Sequence, residues 1–137
     1  MKKYAWVSWM AASAMTLGCG GPAIEIPELG AVTGAVTVDG KPLEGVSVTF
    51  VPESGALASV ARTGSDGKYE LVYAVPGTKE MIKGAAVGQH TVRIDVLPDP
   101  LAQTASQPLP ARYNLESTLK ADVKQGPNTF DFQVTSQ

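Results

Sequence analysis

His90 is the only histidine in the sequence, and no other side chain has an ordinary pKa suited to moving protons near neutral pH. A single histidine rules out a multi-histidine zinc site and any histidine pair. Serines are plentiful, but none stands in a Gly-x-Ser-x-Gly elbow, and none has a histidine placed to activate it. Counting back by twos from Ile94 and Val92 puts His90 on the core-facing side of a strand, at its start. It reads as a hydrogen-bonded core residue rather than a catalytic base. Asp39 and Asp66 are calcium-ligand types, yet each stands in a lone Asp-Gly, and calcium asks for several clustered oxygens. Glycine there supplies a positive φ for a turn, and aspartate tolerates one. A glycine-rich phosphate cradle is missing as well. The residues therefore give no catalytic, metal or cofactor site.

Cys19 is the one remaining reactive type, and it too is alone. No internal disulfide is possible, and an odd cysteine in an exported chain needs a reason. The residues before it supply one. Lys2 and Lys3 form a positive start, residues 4–17 carry no charge, and Gly18-Cys19-Gly20 follows. This is the layout of an export signal. A membrane-spanning helix needs roughly twenty apolar residues, so the run is short for one. Met15-Thr16-Leu17-Gly18-Cys19 resembles the lipobox of bacterial lipoproteins, with Thr16 where a leucine is commoner. The resemblance implies cleavage before Cys19 and acylation of its sulfur and new amino group. Each buried CH₂ contributes about 0.8 kcal/mol, and more than one acyl chain gives stable attachment. The expected partner is a membrane, held through an N-terminal lipid at the bacterial cell envelope, on its periplasmic or surface side.

The rest of the chain must fold as a unit. A length of 137 residues suits one domain, with 44% hydrophobic and 18% charged residues, in the globular range. Formal net charge is −2; without Lys2 and Lys3, nine of the eleven basic residues remain against thirteen acidic ones, or −4. Mild acidity without clustered Lys and Arg argues against a nucleic-acid partner. Residues 1–18 are read as the signal, 19–31 as a proline- and glycine-rich tether, and 32–137 as the domain.

Within the domain the hydrophobic period is two. Val32, Gly34, Val36 and Val38 share one face, and Asp39-Gly40 is a hairpin signal. Val46, Val48 and Phe50 mark a second strand, a weaker one falls within 58–63, and Tyr69, Leu71 and Tyr73 mark a fourth after the Ser65-Asp66-Gly67 turn. Val92, Ile94 and Val96 follow, then Leu119, Ala121 and Val123, then Phe130, Phe132 and Val134. The connection 75–88 allows a single helical turn at 79–83. Seven short strands without an amphipathic helix predict an all-β fold, a seven-stranded antiparallel Greek-key β-sandwich.

Three stretches resemble carboxypeptidase regulatory-like domains. The first is the glycine-led hairpin at 34–50, containing Asp39-Gly40-Lys41-Pro42-Leu43. The second is Thr63-Gly64-Ser65-Asp66-Gly67-Lys68-Tyr69-Glu70-Leu71, and the third is Gly88-Gln89-His90-Thr91-Val92-Arg93-Ile94. Leu109-Pro110-Ala111-Arg112-Tyr113-Asn114 is similar to a segment of bacterial lipoproteins carrying this domain. The resemblance covers about 32–134 and implies a prealbumin-like (transthyretin-like) sandwich, usually an accessory module. The hydroxyisourate hydrolases that share this sandwich use more than one histidine and a Tyr-Arg-Gly-Ser signature, and neither occurs here.

Residues 97–117 are proline-rich and aperiodic, and a connection of this length tends to be functional or disordered. Leu109, Arg112 and Tyr113 within it, and Met81 and Ile82 in the other loop, are the candidate partner contacts. The expected function is a non-catalytic binding or structural module at the envelope, contacting protein or glycan. The alternative is an accessory subunit of an envelope enzyme, or a hydrolase with an unrecognised site.

Overall fold

A computed structural model describes Gly18, residues 25–96 and residues 109–136. Cys19 lies outside the described residues. Two six-membered sheets face each other with the core between them, so the protein is an all-β sandwich.

The first sheet is organised on one long strand, β1 (Leu29–Val38). Along one edge it pairs antiparallel with three short segments, β8 (Ala85–Ala86), β5 (Lys68–Glu70) and β2 (Lys41–Pro42). Along the other it pairs with β11 (Pro127–Thr129) and β12 (Phe132–Val134). These last two pairings are parallel, whereas the other eight strand pairings among the described residues are antiparallel, as expected of the sandwich. The second sheet runs β10 (Lys120–Val123), β9 (Gly88–Val96), β3 (Val46–Pro52), β4 (Ser59–Arg62), β6 (Val72–Ala74) and β7 (Met81–Lys83).

The described residues form twelve strand segments rather than seven: the Tyr69–Tyr73 strand is split between the two sheets, and β2, β7, β8 and β11 are additional. The Tyr69–Tyr73 strand breaks at Leu71, whose N–H goes to the Val32 carbonyl of the first sheet at 3.0 Å. Its first half is β5 in one sheet and its second half β6 in the other. Asp39 and Gly40 have φ of 48° and 83°, the two positive values of a type I′ turn. That turn joins β1 only to the two residues of β2, and the chain then crosses to begin β3 in the opposite sheet. Residues 81–83 form strand β7 rather than the helical turn expected at 79–83. The Val75 N–H bonds to the Glu80 carbonyl at 3.0 Å, closing a hairpin that leaves no room for a helix. β1 also begins at Leu29, three residues before the expected boundary, because β8 pairs with it there.

Alternation does the packing. Val46, Val48, Phe50, Val92 and Ile94 of the second sheet meet Val32, Val36, Tyr69, Leu71 and Val134 across the interior, and all are buried. Each such side chain stabilises the fold by roughly 1.5–3 kcal/mol through removal from water. Thr63 fastens one corner: its Oγ1 accepts the Val46 N–H at 3.1 Å and donates to the Leu43 carbonyl at 2.6 Å.

The sandwich has two distinct ends. At the near end the chain enters β1 at Leu29, beside β8, Pro52, His90 and the 75–80 hairpin. At the far end lie Val38, the Asp39-Gly40 turn and Thr135.

Candidate functional site

His90 sits on β9 between Pro52 of β3 and Ala121 of β10, and is 1% exposed. Its ring centroid is 5.7 Å from that of Phe50. Nδ1 lies 2.9 Å from the Gly88 carbonyl oxygen, which can only accept, so in the neutral ring Nδ1 carries the proton. Nε2 is then a lone-pair acceptor, and it has no partner. Burial holds the imidazole pKa below 6.5, against the opposing pull of the Gly88 carbonyl and the Asp122 and Glu53 charges. The ring is thus a core element with one nitrogen satisfied. Ser59 Oγ, also buried, likewise lacks a partner.

The aspartates of the two Asp-Gly turns are engaged locally. Asp39 Oδ2 accepts the Ser136 hydroxyl at 2.7 Å, and Asp66 Oδ1 accepts the Lys68 N–H at 3.0 Å. Among the described residues no three His, Cys, Asp or Glu side chains gather as a metal site would require.

The far end carries the most organised polar cluster. Pro110 turns the chain into a single 3-10 turn, Ala111–Tyr113, and the Tyr113 N–H bonds to the Pro110 carbonyl at 3.0 Å. This sets Arg112 and Tyr113 side by side, with the guanidinium carbon 4.9 Å from the Tyr113 ring centroid. Both then meet Thr135, which follows β12. Arg112 donates to Thr135 Oγ1 at 2.5 Å, and the Thr135 N–H donates to the Tyr113 hydroxyl at 3.1 Å. Tyr113 Oη also lies 3.2 Å from Thr135 Oγ1. The Thr135 hydroxyl, then the Arg112 guanidinium, pull the Tyr113 phenol down from 10.0 to about 8. Tyr113 packs partly against the core, while Arg112 is exposed.

The other candidate contacts separate. Leu109 is buried in the core and does not face solvent. Met81 and Ile82 are exposed, on the edge strand β7 at the near end. The Arg112–Tyr113 pair and β7 therefore lie at opposite ends of the sandwich. Arg112 and Tyr113 stay together; Met81 and Ile82 form a second, unrelated surface.

Two features were not anticipated. A groove beside β1 and β5 is lined by Thr33, Arg62, Lys68, Glu70, Thr129 and Asp131. Its acids are already engaged, Glu70 with Lys83 at 2.8 Å and Asp131 with the Ala35 N–H at 2.9 Å. The six come from four separated parts of the chain, and no local pattern announces them. At the near end, Ile26, Pro27, Leu57, Tyr73 and Pro76 surround a shallow hollow. A sequence signal existed here: Leu57 is the one large apolar residue in the 53–58 loop, with no strand to explain it.

Comparison with protein-family models and with curated proteins found no match, so the geometry bears the weight of the functional reading.

Proposed function

We propose that this chain is a bacterial envelope lipoprotein, anchored through Cys19, whose β-sandwich is a non-catalytic binding or structural module. It meets a protein or glycan partner at the far end, through Arg112 and Tyr113. One observation carries the reading: Arg112, Tyr113 and Thr135 form a pre-ordered cluster at the end opposite the one where the chain enters. Arginine and tyrosine are the side chains that most often anchor interfaces, and holding them in place beforehand lowers the entropy lost on binding. The burial of His90 beneath Phe50 points the same way, since proton transfer needs a group that substrate can reach. The resemblance to carboxypeptidase regulatory-like domains supports an accessory role, although a fold alone does not transfer a function.

The test is crosslinking of the intact protein in its native envelope, compared with two variants. Arg112→Ala is expected to abolish crosslinks while leaving the melting temperature within a degree or two. Cys19→Ser is expected to release the protein from the membrane fraction. An unchanged crosslink pattern in Arg112→Ala removes the far end from consideration. A hydrolytic activity lost in His90→Gln overturns the non-catalytic assignment.

A further inference from the structure

We infer that the near end of the sandwich, built around Ile26, Leu57, Met81 and Ile82, rests on the lipid surface that holds the anchor. This rests on the reading of Cys19 as lipidated, and adds to it which face of the domain meets the membrane.

The first observation is where exposed apolar side chains lie. Ile26, Leu57, Met81 and Ile82 are 45%, 50%, 69% and 36% exposed, and all four belong to the near end. Ile26 and Leu57 border one hollow with Tyr73 and Pro76. Ile82 is the cross-strand partner of Tyr73 and shares its face of the sheet, while Met81, opposite Ala74, projects from the other face of the same edge strand, so β7 presents an apolar side chain on each face beside the hollow. Val87, also exposed, adjoins it through the bond of its N–H to the Glu28 carbonyl at 2.8 Å. Single exposed hydrophobes need no explanation, but a contiguous group at one end marks an interaction surface. Among the described residues only Val60 and Leu115 are comparably large, apolar and exposed elsewhere.

The second observation is the length of chain between anchor and domain. Six peptide steps separate Cys19 from Glu25, so the reach is at most about 20 Å even fully extended. The ten residues of β1 alone span about 30 Å from the near end to the far end. A lipid on Cys19 thus keeps the near end within about 20 Å of the membrane, while the tether leaves the far end free to stand away from it.

Charge identifies the kind of contact. Glu25, Glu28 and Glu80 against Lys79 and Lys83, the last paired with Glu70, leave no basic cluster beside these side chains to attract anionic headgroups. The contact is therefore apolar, shallow and insensitive to salt. A patch of this size is too small to recruit a free domain, but the tether supplies a high local concentration of membrane. The arrangement also explains why Arg112 and Tyr113 occupy the opposite end, where a partner approaches from solvent.

The experiment uses the full-length lipidated protein in phosphatidylcholine vesicles doped with headgroup-spin-labelled phosphatidylcholine. Acylated Cys19 leaves an added cysteine as the only thiol, so a fluorophore goes on Leu57→Cys, Met81→Cys or, at the far end, Lys41→Cys. Labels at 57 and 81 should be quenched at least threefold more than the label at 41, equally at low and high salt. Equal quenching at all three positions, with the protein floating on the vesicles, overturns this inference and leaves the anchor intact. Labels at 57 and 81 shielded from aqueous quencher without lipid quenching show a protein partner or second copy there, and also overturn it. Failure to float, with unmodified Cys19 by mass spectrometry, overturns the anchor and this inference together. In Leu57→Glu/Met81→Cys the quenching at 81 should fall by half or more.

Discussion

The Tyr69 hydroxyl donates a hydrogen bond to the Phe130 carbonyl oxygen at 2.5 Å, across a gap that exists only because residue 34 is glycine. A Cβ on Gly34 would lie 1.8 Å from that oxygen and 2.8 Å from the Tyr69 hydroxyl. The gap falls where the parallel partner of β1 breaks between β11 and β12. The Asp131 side chain takes the Ala35 N–H there, in place of a main-chain partner. Burial, then the Asp131 charge, raise the Tyr69 phenol well above its usual range, so it remains a donor at any physiological pH.

Gly34→Ala should accordingly be among the most damaging single-methyl changes in the protein. The clash is with backbone on one side, so relief requires a strand to move, at a cost of about 3 kcal/mol or more. Tyr69→Phe keeps the packing but strands the Phe130 carbonyl, at a cost of about 1–3 kcal/mol. Urea denaturation of both variants checks the pair. If Gly34→Ala proves milder than Tyr69→Phe, the close approach described here is wrong.

Phe50 and Phe132 are both core-facing by alternation, but they are not equivalent. Phe50 is fully buried and its ring lies near those of His90, Phe130 and Phe132, at 5.7, 5.8 and 6.2 Å. Phe132 stacks on Tyr69 at 6.3 Å yet remains partly exposed. Phe50→Ala should cost about 3–5 kcal/mol, and Phe132→Ala roughly half as much. Equal losses in chemical denaturation would contradict the burial difference.

Much of this arrangement is legible from the pattern of residues alone. Period-two alternation places Val36, Val48, Phe50, Val92 and Ile94 inside, because burial of one strand face demands that register. The same local pattern does not report which strand pairs with which. The parallel pairing of β1 with β11 and β12 depends on how the chain returns from the other sheet, and so does the crossing at Leu71. Residues 79–83 carry charges at helical spacing, but the hydrogen bonds of the 75–80 hairpin outweigh that weak preference. The Arg112–Tyr113 pair is recognisable as residue types suited to binding. Its partner Thr135 is not, being twenty-two residues away and placed only by the end of β12. The Arg62–Asp131 groove is invisible for the same reason.

His90 makes stability depend on pH in a defined direction. Its folded pKa is below the unfolded 6.5, so between those values the unfolded chain binds more protons. The contribution is fully present above about 6.5 and is lost as pH falls from there toward the folded pKa. Protonation would give Nε2 a hydrogen with no acceptor inside the core. Melting temperature should therefore fall between pH 7.5 and 5.5, a window in which most carboxylates do not titrate. His90→Gln should flatten that fall. Parallel pH curves for the two proteins would assign the effect to other groups.

Tyr113 makes the complementary prediction at alkaline pH. Its hydroxyl accepts the Thr135 N–H and lies beside the Arg112 guanidinium, and both favour the phenolate. Tyr69, by contrast, is buried and its phenol is shifted upward. In a titration followed by phenolate absorbance near 295 nm, one tyrosine should ionise at about 8, ahead of Tyr69. Tyr113→Phe should remove that first step altogether. Arg112→Ala should move it toward 10 without removing it, since the Thr135 contacts remain. Because the folded pKa is depressed, this group adds stability as pH rises from about 8 to 10 and adds none below. The early step also reads the cluster proposed to bind a partner. Occupation of the far end by a protein or glycan that contacts the phenol must shift the midpoint, whereas a partner bound elsewhere leaves it in place. A first ionisation near 10 in the unliganded protein would mean that Arg112 and Thr135 do not hold Tyr113 as described.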